Sequence, residues 1–152
     1  MGSITVLDTT RFPVVVLSFP ENIDDVDMDG FFRLHDQMLK RRERYVSISD
    51  FSRVRSMPKA TERQRLAEWA KHEEPRLKQF QLANALVFTS PMLRAGLQAV
   101  HWLAPPPVPT AVVGTMAEGI DFLEKELRRS GHAIFPQLLK LRDELVAARV
   151  AR

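Results

Sequence analysis

Apolar and polar residues alternate along Tyr45-Val46-Ser47-Ile48-Ser49-Asp50, and a polar loop follows from Arg53 to Ala60. A period of two predicts a strand with its side chains sorted onto two faces. Ile4–Leu7 and Val14–Phe19 are shorter β-branched runs, and the residues between them, Asp8 to Pro13, have the composition of a turn. They predict an antiparallel hairpin. Leu82–Thr89 is almost wholly apolar over Ala85-Leu86-Val87-Phe88, the pattern of a central strand covered on both faces. Thr110–Val113 completes the strands.

Helical spacing fills the intervals. Met28, Phe31, Phe32, His35, Met38, Leu39 and Arg42 predict a helix from about Asp27 to Arg44 with a basic last turn. Thr61-Glu62-Arg63-Gln64 has the form of a capping box, opening a helix with the stripe Leu66, Trp69, Ala70, Leu77 and Phe80. Pro75 lies within that helix and is expected to kink or divide it, because it removes an amide donor. Ser90-Pro91 starts a helix running through Leu93, Leu97 and Val100 to about Leu103. The run from Pro105 to Pro109 must be extended. Thr115-Met116-Ala117-Glu118 is a second capping box, whose helix carries Ile120, Leu123 and Leu127 inward and stops at Ser130-Gly131. Pro136–Arg152 reads as a terminal amphipathic helix with Leu138, Leu141, Leu145 and Ala148 along one side.

The order β-β-α-β-α-β-α-β-α-α defines an α/β fold. Right-handed crossovers would lay its four or five strands into a mixed, largely parallel sheet with the first strand on an antiparallel edge. A chain of 152 residues, 45% hydrophobic and 27% charged, fits one compact domain. With no cysteine, disulfides, cysteine nucleophiles and thiolate metal sites are excluded, and the cytosol is the natural compartment. The first residues lack a signal-peptide pattern and no apolar run reaches membrane-spanning length, so neither secretion nor integral membrane association is expected. Twenty-two basic residues face 19 acidic ones, for a net charge of +3. That is too mild a bias to predict nucleic-acid binding.

The opening hairpin, the strand ending in Asp50-Phe51-Ser52, the Ala85-Leu86-Val87-Phe88 strand, the helix exit at His101-Trp102-Leu103 and the helix start at Ala117-Glu118-Gly119 together resemble the STAS fold of the SpoIIAA-like, anti-sigma-factor-antagonist family. The resemblance spans roughly Ile4 to Leu127. It implies a STAS-like domain over residues 1–130 and a C-terminal helical extension over 131–152. It further implies a non-enzymatic regulatory or adaptor protein that binds another protein, a regulator or kinase, in a bacterial signalling context. In signalling members a hydroxyl residue in the loop after the Asp-x-Ser strand is phosphorylated. Here Ser56 falls beside that acceptor position, Met57 occupies it, and Pro58 stands in place of the usual glycine. Arg53 and Arg55 would instead receive an anionic group. The alternative is a carrier of a small apolar ligand, because relatives of this fold also resemble lipid-binding domains of the SEC14 type; Phe31, Trp69, Phe80 and Trp102 would then form its pocket.

Asp50 reads as a turn former bonding the amide of Ser52, and Ser52 and Ser56 as turn residues or phosphoacceptors. His35, His72, His101 and His132 fall on four separate elements at no metal spacing. The glycines form no phosphate-binding cluster, and no nucleophile elbow is present. No cofactor, metal or catalytic set is therefore expected. The basic run Lys40–Arg44 and the acids Asp24–Asp29 read as solvated helix ends. The terminal helix also carries Leu139, Val146 and Val150, which suit a protein partner or a homodimer.

Overall fold

The computed structural model describes residues 6–151. Five strands, β1 (Leu7–Asp8), β2 (Val14–Ser18), β3 (Tyr45–Asp50), β4 (Gln81–Val87) and β5 (Thr110–Val113), form one mixed sheet in the order β1-β2-β3-β4-β5. Only β1 runs antiparallel to its neighbour; β2 to β5 are parallel. This is the mixed α/β sheet that the sequence predicts. The expected strand residues Ile4 and Thr5 lie outside the described residues.

The helices are α1 (Met28–Leu39), α2 (Ala60–Phe80), α3 (Pro91–Leu103), α4 (Met116–Arg129) and α5 (Pro136–Val150). Side-chain alternation sorts the core into two layers. On one face Val14, Val46, Ile48, Ala85 and Val87 pack against Ile120, Leu123 and Leu127 of α4 and Leu138 and Leu141 of α5. On the other, Val15, Leu17 and Tyr45 meet Phe31, Met38 and Leu39 of α1 and Leu77 and Phe80 of α2. Helix α4 comes close to the sheet at Gly119, where an added Cβ would stand 2.6 Å from Ile48 Cδ1. Helix α5 is integral to this core, since Leu138 is wholly buried.

Local chemistry decides several boundaries. Asp27 caps α1, accepting from the Gly30 amide at 3.0 Å. That helix stops at Leu39, five residues short of the expected Arg44: Arg42 takes a positive φ of 56°, so the basic run forms a turn and not a helical end. Helix α2 starts one residue before Thr61, with Lys59 at the N-cap and no side-chain cap, so the Thr61 capping box does not form. It passes through Pro75 unbroken. Pro75 is exposed, so its ring meets solvent and the chain tolerates the one lost amide bond. The predicted caps at Ser90 and Thr115 both form, to the amides of Leu93 and Glu118.

Candidate functional site

The site begins as a break in the covering of the sheet. Alternation along β3 turns Val46 and Ile48 toward α4 and α5, and therefore turns Ser47 and Ser49 to the opposite face. Along β4 it does the same with Ala83, Ala85 and Val87 against Asn84 and Leu86, and Phe88, just past the strand end, follows on the cavity side. A central strand covered on both faces would bury all of these. Instead, Asn84 and Leu86 are only half-buried. Helix α3, which ought to cover them, contributes no buried residue and rests on β5.

A cavity of about 740 Å³ occupies the space so left. Its volume falls in the range of small-molecule sites, roughly 300–1,000 Å³. Leu66, Trp69 and Leu77 of α2 form one wall, and Leu97 and Val100 of α3 the other. At the carboxyl ends of the strands, Phe19, Phe51 and Phe88 stack in a ladder, with centroids 4.1 Å and 4.6 Å apart. Phe31 and His35 of α1 complete the lining, with the His35 ring 4.8 Å from that of Trp69. Burial pushes His35 down from 6.5 to about 4, so at neutral pH it adds no charge.

The floor is polar. Gln81 Nε2 donates to Ser47 Oγ at 2.7 Å, and Ser47 Oγ donates in turn to Asn84 Oδ1 at 2.8 Å. Thr110 lies next to Asn84 across the β4–β5 pair and donates to the Val108 carbonyl. Ser49 is only 6% exposed, faces the same cavity, and makes no side-chain hydrogen bond to a described residue. Buried polar groups on a sheet face are unusual and informative.

The loop residues singled out in the sequence form a separate place. Asp50 Oδ1 accepts from the Ser52 amide at 2.9 Å, which is the expected turn. Ser52, Arg53 and Arg55 border a shallow hollow of about 440 Å³ shared with Glu21, Thr89 and Ser90. Arg55 pairs there with Glu21 at 3.0 Å. Ser56 turns to the rim of the large cavity instead. Of the four proposed pocket aromatics, Phe31 and Trp69 line the cavity. Phe80 lies in the core and Trp102 is 87% exposed, so neither belongs to the lining. Phe80 sits at the closely packed α2–β4 junction, while Trp102 lies on the outer side of α3.

Sequence reasoning missed Ser47, Ser49, Gln81 and Asn84. The signal was the serine alternation itself, inside a strand flanked by others on both sides. Among the described residues no three histidine or acidic side chains form a metal-binding group, and no helix is long and apolar enough to cross a membrane. Comparison of the chain with protein-family models, with curated proteins and with solved structures gives no match.

Proposed function

We propose that this protein is a non-enzymatic binding protein that holds a small, mainly apolar molecule in the cavity between α2, α3 and the sheet. The observation that carries the reading is the half-open central strand: Asn84 and Leu86 look into about 740 Å³ of space walled by aliphatic and aromatic side chains. An empty apolar space of that size forfeits many dispersion contacts, and an occupant would restore them. The test is binding of a neutral naphthylamine dye that fluoresces in apolar surroundings. Saturable one-to-one binding that weakens in Leu86→Trp, whose indole narrows the cavity at its floor, supports the reading. Equal binding by both proteins opposes it.

A second reading, an adaptor that binds another protein, is favoured by the arginine-bearing hollow at the strand ends. Arg53 and Arg55 would meet an acidic partner segment there, and exposed Leu139, Val146 and Val150 of α5 would supply an apolar surface for a partner or a second copy. Loss of partner capture on Arg55→Glu separates this reading from the first.

A further inference from the structure

The cavity floor specifies more than apolarity. We propose that the ligand is an uncharged amphiphile, with an alcohol or carboxamide head seated on the Ser47–Ser49–Asn84–Gln81 patch and a hydrocarbon body lying between α2 and α3. This inference rests on the cavity being a binding site.

The argument follows the hydrogen bonds. In the relay Gln81 to Ser47 to Asn84, the Gln81 amide uses a donor and the Asn84 amide uses its acceptor. The relay therefore leaves the Gln81 carbonyl oxygen able to accept and the Asn84 amide nitrogen able to donate. Neither makes a hydrogen bond to a described residue. Two residues further along β3 from Ser47, level with Leu86, the Ser49 hydroxyl faces the cavity and makes no hydrogen bond to a described residue, its residue being more than nine-tenths buried. A head that both donates and accepts satisfies this set; a hydrocarbon satisfies none of it. A hydrocarbon lying on these groups would strip their water without replacing its hydrogen bonds, at roughly 1–3 kcal/mol for each group, so a matching head is strongly selected.

Charge narrows the choice. No basic side chain belongs to the sheet floor; of the basic residues in the lining besides His35, Arg63 and Lys71 are exposed on α2 and His101 is half-buried on α3. Arg63 already donates to the Pro58 carbonyl. The lining also includes Asp24, whose Oδ1 is buried without a hydrogen-bond partner. A carboxylate or phosphate head would find no cation on the floor to meet it, and the three carboxylates of the lining, Asp24, Glu62 and Glu74, would repel it. His35, held neutral, offers no compensation.

The experiment is competition against the naphthylamine dye by four 12-carbon compounds: dodecanol, dodecanamide, dodecanoate and dodecane. Dodecanol and dodecanamide should compete at least about tenfold more tightly than the other two, the equivalent of about 1.4 kcal/mol. That preference should collapse in Ser49→Ala, which removes a hydroxyl without orphaning any partner, and in Asn84→Leu, with each variant's competition referred to its own dye affinity. Equal competition by all four, or a preference for dodecanoate, overturns the head assignment and leaves the cavity reading standing. Failure of the dye and of all four compounds overturns both.

Discussion

Ser47 and Asn84 face each other across the parallel β3–β4 pair, and the Ser47 hydroxyl donates to the Asn84 side-chain oxygen at 2.8 Å. On the same face of the sheet, on the neighbouring strand β2 and in register with Ser47 and Ser49, Val15 and Leu17 are buried under α1 and α2. One sheet face thus passes from a packed core to a polar floor over a single strand spacing.

Narrowing that space should trade binding for stability. Leu86→Trp places apolar surface where the native chain leaves a void, so it should raise the denaturant midpoint while weakening dye uptake. Urea unfolding and a dye titration on the same preparation check both halves. A variant less stable than the parent would show that the cavity cannot admit the ring.

The opposite face has no such slack. Gly119 lets α4 lie so close to the sheet that a Cβ at this position would stand 2.6 Å from Cδ1 of the fully buried Ile48. Gly119→Val should therefore lower stability by about 1–3 kcal/mol through overpacking. Equilibrium urea unfolding reads this directly, and an unchanged midpoint would mean that α4 shifts freely.

On α5, burial separates two apolar residues sharply. Leu138 is wholly buried and Val150 is 82% exposed. Leu138→Ala should cost about 2–5 kcal/mol, whereas Val150→Ala should stay within about 0.5 kcal/mol. Comparable losses from both would place α5 against a second surface, such as another copy of the chain.

Acidification should destabilise the protein through His35. Its native pKa is lowered by burial from 6.5 to about 4. Between those values the unfolded chain binds a proton that the native one refuses, so stability is complete above about pH 6.5 and declines as pH falls toward 4. The loss approaches roughly 3 kcal/mol. Urea midpoints at pH 7.5 and 4.5 should differ more for the native protein than for His35→Gln. Equal differences would assign the acid sensitivity to other groups.

Much of the architecture was legible because period and capping chemistry are local. The Ser90 and Thr115 caps and the Asp50–Ser52 turn need only neighbouring residues, and all three form as predicted. The end of α1 was not legible, since the basic run after Leu39 suits a helical end as well as the turn it makes at Arg42. The cavity was less legible still. Alternation shows that Ser47 and Ser49 share a face, but what covers that face depends on where α3 rests, a long-range outcome that no local pattern encodes. Trp102 illustrates the same gap: its spacing on α3 is consistent with a lining residue, yet the helix turns it outward.

That contrast between the two tryptophans provides the most direct measurement. Trp69 lines the cavity, Trp102 is exposed, and the chain contains no other tryptophan. In Trp102→Phe, excitation of Trp69 should transfer energy to the bound naphthylamine dye, saturating at one dye per chain with the affinity of the parent protein. Loss of dye binding on removing Trp102, or binding without energy transfer from Trp69, would place the ligand on the outer surface of α3 and contradict the cavity as the binding site.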